Sequence, residues 1–331
     1  MKKNIVSLFV AAACAAGLFT ACGSSSATST VEHNLSVVST IFPSYDFARQ
    51  IAGDNANVTM LLHPGAESHS YEPTPQDIKT IQNCDLFIYT GGENDVWVEE
   101  ILESMGDKKP ATLKMMDCVE TVAEEIVEGM QDSHDHEEDA DDHDHEDETD
   151  EHTHEGELDE HVWTSPKNSM KIVQAITQAM SEKDPEHAAL YQENSTSYIQ
   201  QLEDLDAQLR DVVESAARKT VLFGDRFPFR YLADEYGLDY YAAFSGCSTE
   251  TEASAATVAF LTNKVTELQL PVVFIIELSN GKIADSICEA TGAQKLTLYS
   301  CHNVTKTQLE EGETYLSLMN QNVESLRIAL N

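Results

Sequence analysis

The sequence predicts an α/β protein with two βα lobes, each built on a parallel sheet, joined by one long helix. Short β-branched runs alternate with helical patterns in both halves of the 331-residue chain, which is typical of βαβ units. The helical pattern between the halves, at residues 185–218, exceeds the usual helix length of about 8–20 residues. Histidines occupy loops that follow strands. Since ligands of such sheets bind beyond the carboxyl ends of strands, we expect a metal site in the interlobe cleft.

The first lobe is predicted over residues 35–184. Ser165 and Pro166 mark the start of its last helix, because serine is a preferred N-cap and proline is tolerated at the first helical position. The other predicted elements are strands at 35–42, 57–62 and 85–89, and helices at 46–51, 76–82 and 96–105.

The second lobe is predicted over residues 219–331 and repeats the same alternation. Its expected strands are 221–223, 239–244, 272–276 and 296–299, and its expected helices are 230–236, 252–268, 282–291 and 314–330. The long helix ahead of this lobe either joins the two lobes stiffly or packs on a single domain as a bundle helix.

The N-terminus has the pattern of a bacterial lipoprotein signal. Two lysines precede an apolar stretch, residues 5–19, which is too short for a lasting membrane span. Small residues lead to Cys22, and a Gly/Ser linker follows it, as in a lipobox, although Phe19 stands where Leu is usual. We expect residues 1–21 to be removed, Cys22 to carry lipid, and residues 22–34 to tether an extracytoplasmic protein to the membrane. An ordinary secretory signal is the alternative.

An acidic, histidine-rich insertion is predicted at residues 131–158 of the first lobe. Residues 131–160 contain 17 Asp and Glu and no Lys or Arg, so this segment cannot form a core and should be a solvated loop. Six histidines lie there in H-x-H pairs, which suit Zn²⁺, Ni²⁺ or Cu²⁺. They are His134, His136, His143, His145, His152 and His154. We interpret the loop as metal-collecting; the alternative is an acidic loop with no such role.

The net charge of −38 argues against nucleic acid as a partner, because the phosphates would be repelled, and it is compatible with collecting cations.

The cysteines favour a disulfide or inert thiols over a thiolate metal site. No C-x-x-C pair is present, and the chain would be exported to an oxidising compartment. Five cysteines remain besides Cys22, so at most two disulfides form. We favour Cys247 with Cys301, because each borders a candidate site stretch, although connectivity does not follow from sequence.

Four stretches within residues 35–331 carry a resemblance to a known family. They are HPGAESHSYEPTP from residue 63, DEHVWTSP from residue 159, YLADEYGL from residue 231 and TEASAATVAFL from residue 251. Together they resemble the zinc- and manganese-binding lipoproteins of bacterial ABC importers, the cluster A-I solute-binding proteins. The resemblance implies two α/β lobes, a linking helix and one metal ion in the cleft. It also implies delivery of the ion to a membrane permease powered by a cytoplasmic ATPase.

The resemblance also implies ligand positions. His69 matches the first histidine ligand and His161 the second. The third position falls on Arg226, which cannot bind a cation because it is permanently charged and has no acceptor atom. The fourth position, commonly Asp in the family, is His302 here. We expect His69, His161 and His302 to bind the metal, with Asp225 or a water completing the set.

Arg226 itself is expected to turn away from the metal and pair with Glu250 or Glu252, because a buried arginine needs a partner. Glu250 is also a weaker ligand candidate. Three imidazoles with a carboxylate or water suit tetrahedral Zn²⁺, whereas Mn²⁺ calls for more oxygen ligands.

Competing functions are a secreted zinc hydrolase and an adhesin or passive metal buffer. No H-E-x-x-H motif occurs, and this argues against an enzyme. We therefore interpret the chain as the extracytoplasmic binding component of a zinc ABC import system, with a manganese receptor of the same family as the alternative.

Overall fold

The structure, a computed structural model, describes residues 34–92, 95–130, 157–250 and 252–331. In these ranges eight strands form two sheets of four, and every strand pair is parallel. The predicted two-lobe α/β fold is therefore confirmed. The signal, Cys22 and the six histidines of the acidic insertion lie outside the described residues.

The first sheet has the strand order β2-β1-β3-β4. Its strands are β1 (Leu35–Ser39), β2 (Ala56–Met60), β3 (Leu86–Tyr89) and β4 (Ala111–Lys114), and the helices of this lobe are α1 (Phe42–Ala52), α2 (Pro75–Gln82), α3 (Val96–Met105) and α4 (Pro166–Lys183). The sequence did not predict β4, because this four-residue edge strand lacks a run of buried apolar residues.

Helix α1 begins earlier than the sequence predicts. The expected strand ended at Pro43 and the expected helix began at residue 46, but Pro43 lies within the first turn of α1. Proline is tolerated there because the first backbone N–H groups of a helix have no intrahelical partner. The proline therefore starts a helix here rather than closing a strand.

The second sheet has the strand order β6-β5-β7-β8. Its strands are β5 (Thr220–Phe227), β6 (Asp239–Ser245), β7 (Val272–Ile275) and β8 (Gln294–Thr297). Helix α5 (Ala188–Glu214) precedes this sheet, and α6 (Arg230–Tyr236), α7 (Ala255–Leu268), α8 (Lys282–Thr291), α9 (Lys306–Glu311) and α10 (Tyr315–Leu330) complete the chain. The short α9 was not predicted, although a capping box of Thr305 and Gln308 marks its start.

Helices α5 and α10 tie the two lobes together. Helix α5 lies within the range 185–218 that the sequence predicts for a linking helix, and it packs against α1, α4, α6 and α10. Helix α10 returns to the first lobe, where the Tyr315 ring meets Phe47 edge-on at 4.8 Å and the Tyr315 backbone N–H donates to Asp46. Although α5 has 27 residues, neither it nor any other described helix is apolar enough over sufficient length to cross a bilayer.

The five described cysteines are free thiols, so the favoured pairing of Cys247 with Cys301 is wrong in this structure. Cys301 is fully buried, and its Sγ atom faces the Tyr299 carbonyl at 3.7 Å. Cys247 lies in the loop after β6, where its backbone N–H donates to Glu124. The two side chains belong to different environments, and each thiol has a pKa raised chiefly by burial.

Candidate metal centre

Four potential ligands meet in the cleft between the lobes. His69 lies in the loop between β2 and α2, Glu160 and His161 lie just before α4, and His302 follows β8. One ligand atom from each residue lies within 4.8 Å of all the others. Ligand atoms around a tetrahedral zinc ion are about 3.3 Å apart, given bond lengths of about 2.0–2.1 Å. A small contraction would bring this group to that spacing.

The three histidines each direct an unpartnered nitrogen into the protein. The Nε2 atoms of His69, His161 and His302 are buried and have no hydrogen-bond partner. A buried polar atom without a partner costs about 1–3 kcal/mol. Three such atoms converging with a carboxylate are most simply explained as ligands for a cation.

The opposite ring nitrogen of each histidine has a partner, and in two of the three that partner fixes the tautomer. Nδ1 of His161 lies 2.9 Å from Asp159, Nδ1 of His69 lies 3.0 Å from Glu67, and Nδ1 of His302 lies 2.7 Å from the Ser300 hydroxyl. A carboxylate only accepts hydrogen bonds, so the first two Nδ1 atoms carry the proton. Their Nε2 lone pairs are then free, an arrangement typical of metal-binding histidines.

The His302 loop is organised around a buried carboxylate. Glu277 accepts hydrogen bonds from the Ser300 backbone N–H at 2.7 Å, from the Ser300 hydroxyl at 2.6 Å and from the His302 backbone N–H at 2.9 Å. Burial raises the pKa of Glu277, and these hydrogen bonds oppose that rise. Cys301 between them has a φ of 64°, a left-handed conformation that is uncommon for residues other than glycine. This turn directs both neighbours towards Glu277.

The pKa values of two of the histidines, His302 and His161, are shifted in opposite directions. Burial, together with the neighbouring His161, His69 and Arg226, lowers the pKa of His302 well below its ordinary value. Burial by itself would also lower the pKa of His161, but the carboxylates of Asp159, Glu160 and Glu124 together outweigh burial and raise that pKa. At neutral pH the lowered pKa of His302 favours the neutral imidazole that a cation needs, whereas the raised pKa of His161 lets a proton compete more strongly for its Nε2 atom.

Glu160 is a site residue that the sequence analysis missed. Glu160 is 3% exposed, and its Oε1 atom lies 3.9 Å from Nε2 of His69. The backbone N–H of Val162 donates to the Glu160 carbonyl at 2.8 Å, and this tight turn lets Glu160 and His161 face the same point. The only sequence signal was an acid directly before a predicted ligand.

The structure does not bring Asp225 or Glu250 into the group of potential ligands found among the described residues. Asp225 instead accepts a hydrogen bond from the Arg226 backbone N–H at 2.9 Å, and a longer one from Ile276 at 3.4 Å. The backbone N–H of Glu250 is bound to the Ser248 hydroxyl. The carboxylate that lies beside the three histidines is that of Glu160, whereas Asp225 or water was expected there.

Arg226 neither turns away nor pairs with Glu250 or Glu252, so that prediction is wrong. Its guanidinium lies against Glu67 of the first lobe, with Nη2 to Oε2 at 2.9 Å, and Nη1 is 3.3 Å from Nδ1 of His69. Burial would raise the pKa of Glu67, but hydrogen bonds from His69 and Arg226 hold it well below the usual range. The expected acidic partner exists, but it comes from the other lobe.

Further hydrogen bonds join the loops that carry the ligands. The Trp163 ring N–H donates to the Ser300 carbonyl at 2.7 Å. The side-chain amide of Asn303 donates to the carbonyls of His63 and Ala66 at 2.8 and 2.9 Å. The segments that contain His161, His302 and His69 are thus joined to one another by neutral hydrogen bonds.

Comparison with known protein families shows which family this chain belongs to. A sequence model of the family described as "Zinc-uptake complex component A periplasmic", ZnuA, matches residues 37–329. The chain belongs to this family. The resemblance drawn from the sequence motifs is therefore confirmed.

Individual relatives agree with this assignment. The high-affinity zinc uptake system protein ZnuA of Bacillus subtilis is 33% identical over 100% of this chain and 99% of its own length. The zinc-binding lipoprotein AdcA of Streptococcus pneumoniae is 32% identical over 99% of this chain, which spans only 61% of that longer protein. The crystal structure of the Zn(II)-bound ZnuA-like domain of Streptococcus pneumoniae AdcA matches with a TM-score of 0.72 at 28% identity, covering 90% of this chain and 99% of that domain.

Proposed function

We propose that this protein is the extracytoplasmic zinc-binding component of an ABC import system. His69, His161, His302 and Glu160 would bind one Zn²⁺ as cargo in the interlobe cleft. The main support for this proposal is that three buried, unpartnered Nε2 atoms converge on one carboxylate. Family membership and the zinc-uptake relatives support the same conclusion.

The ligand set favours zinc over manganese. Three imidazoles and one carboxylate give the nitrogen-rich, four-coordinate set that zinc accepts in proteins. Manganese prefers more oxygen ligands, and the nearby carboxylates of Glu67 and Asp159 are engaged with Arg226, His69 and His161. We therefore expect zinc to displace manganese from this site.

The arrangement supports capture rather than catalysis. All four ligand positions are filled by side chains, so no open position remains for an activated water of the kind that a zinc hydrolase uses. Ligands come from both lobes, because His302 belongs to the second and the other three to the first. Binding the ion would hold the lobes together, and separating the lobes would release it.

Substitution of the ligands tests this function. His302→Ala should weaken zinc binding by more than the roughly 10–100-fold cost of losing an outer-shell partner, and Glu160→Gln should also weaken it. His187→Ala is a matched control, since His187 lies at the start of α5 and pairs with Asp184. Zinc affinity is measured by competition with a chelator, with manganese as a second competitor. Unchanged zinc affinity in His302→Ala would refute the assignment.

A lipid anchor at Cys22, a permease and an ATPase complete the proposal. The lipobox-like sequence at Cys22 and the zinc-binding lipoprotein among the relatives support the anchor. Cys22→Ser should release the protein into the medium or leave its signal unprocessed. A Cys22→Ser protein that stays processed and bound to membranes, detected by fractionation, would contradict the anchor.

A further inference from the structure

Glu67 connects a proposed metal ligand to an arginine of the other lobe. Its Oε1 atom lies 3.0 Å from Nδ1 of His69, and its two oxygens accept hydrogen bonds from Nη1 and Nη2 of Arg226 at 3.3 and 2.9 Å. Glu67 lies in the loop between β2 and α2, whereas Arg226 lies on β5. The ion pair therefore bridges the two lobes beside the metal centre.

The protons in this contact can be assigned from the chemistry of the groups. The Glu67 carboxylate only accepts, so Nδ1 of His69 donates to it, and the Ser68 hydroxyl lies 3.2 Å from the same nitrogen. A guanidinium only donates, so its Nη1 atom cannot hydrogen bond to the protonated Nδ1 of His69. Arg226 Nη1 instead donates to Glu67 and to the Ser248 carbonyl at 3.2 Å. Arg226 thus reaches His69 through Glu67.

The second sheet determines where Arg226 points. The pairing of β5 with β6 shifts register between Phe223 and Arg226, and such irregularities redirect side chains. The Arg226 side chain is only 12% exposed, and its planar fork fits both oxygens of Glu67. Its position is therefore fixed by the second lobe.

We propose that Arg226 positions His69 for metal binding by holding Glu67. The geometry of a first-lobe ligand then depends on contact with the second lobe. This rests on the metal-binding role proposed above for His69. When the lobes separate, Arg226 leaves Glu67, the Glu67 and His69 side chains gain rotational freedom, and the site loses affinity. Release of the ion is thereby coupled to opening of the cleft by a pair that does not itself bind the metal.

A double-mutant cycle on the whole mature protein tests whether Arg226 acts on His69 through Glu67. Arg226→Gln and Glu67→Gln should each lower zinc affinity, by up to about 10–100-fold. Because Arg226 acts through Glu67, the double variant should bind zinc no more weakly than Glu67→Gln alone. Chelator competition gives the affinities. The visible spectrum of the cobalt(II)-loaded protein reports ligand geometry directly, and we expect it to change in Arg226→Gln.

A second arginine–glutamate pair supplies matched controls. Arg210 of α5 donates to Glu235 of α6 at 3.2 Å, outside the metal centre. Arg210→Gln and Glu235→Gln make the same chemical changes and should leave the zinc affinity and cobalt spectrum unaltered. Arg226→Lys keeps the charge but loses the fork, so it should restore only part of the affinity lost in Arg226→Gln.

The outcomes separate this inference from the proposed function. An unchanged zinc affinity and cobalt spectrum in Arg226→Gln, or strictly additive losses in the double variant, would refute the positioning of His69 by Arg226. In either case the wild-type protein would still bind zinc tightly. If wild-type protein fails to bind zinc tightly and His302→Ala has no effect, the proposed function itself has failed.

Discussion

The Oδ1 atom of Asp159 accepts two hydrogen bonds from His161, one from the backbone N–H at 2.8 Å and one from ring Nδ1 at 2.9 Å. Both residues are almost fully buried, and the Asp159 carbonyl also accepts from the Tyr231 hydroxyl at 2.6 Å. A single carboxylate thus fixes the backbone, the ring orientation and the tautomer of a proposed ligand.

Asp159→Asn should therefore lower zinc affinity by about 10–100-fold, because the amide can no longer hold the Nδ1 proton as a carboxylate does. Chelator competition measures the loss. Asp184→Asn is the matched control, because Asp184 lies 2.8 Å from Nδ1 of His187 in a pair of the same kind away from the metal centre. Equal zinc affinity in Asp159→Asn and Asp184→Asn would contradict this role for Asp159.

Zinc affinity should rise with pH around neutrality. The pKa of His161 is raised above its ordinary value of 6.5, so a proton on His161 still competes with zinc near pH 7. Affinity should increase by up to about tenfold per pH unit until the pH exceeds that raised pKa. His302 adds nothing in this window, because its pKa is lowered well below 6.5 and its ring is already neutral.

Calorimetry in buffers of different ionisation enthalpy counts the protons that zinc displaces. Burial, with the Glu160 charge, also raises the pKa of Asp95 to about 7, and zinc beside Glu160 would displace that proton too. Asp95→Asn separates the two sources, since only the His161 proton remains in it. Absence of proton release from Asp95→Asn at pH 7 would show that His161 does not carry the expected proton.

The sequence could place the three proposed histidine ligands but not the groups that surround them. His69 and His161 lie within recognisable motifs, and His302 follows the end of a predicted strand. Parallel sheets bring such strand ends together. Glu160 was missed because adjacent side chains in an extended segment point apart, and the tight turn to Val162 that reverses this is not encoded in a spacing rule.

The ion pair of Arg226 shows a second limit. The requirement that a buried arginine has an acidic partner follows from desolvation, and the structure supplies one. Which acid it is depends on how the lobes meet, and Glu67 is 159 positions away in sequence. Local patterns define the elements of each lobe, but contacts across the cleft follow from packing between lobes.

Gly246→Ala should disturb the metal centre without altering any ligand. A Cβ at this position would lie 2.9 Å from Cε1 of His161, which is closer than real Cβ atoms come, and 3.0 Å from the Phe227 carbonyl, which is tight. The imidazole must move, so zinc affinity should fall, and overpacking should destabilise the metal-free fold by about 1–3 kcal/mol. Chelator competition and thermal unfolding measure the two effects. Ser245→Ala, a truncation at the neighbouring residue, should change the affinity little; an equal loss in both variants would exclude a specific contact with His161.

Deletion of residues 132–156 should remove the weak zinc equivalents expected of the clustered histidines and leave one tight equivalent. The described flanks of the insertion are already joined, because the Glu124 backbone N–H donates to the Glu157 carbonyl at 2.7 Å and the Asp159 backbone N–H donates to the Val122 carbonyl at 2.9 Å. Those hydrogen bonds hold the chain leading to Glu160 and His161, so the ligands should keep their places. Zinc titration calorimetry counts both classes of site, and a Gly/Ser loop of equal length controls for the shortened connection. If the tight equivalent disappears in both the deletion and the Gly/Ser variant, the insertion forms part of the primary site.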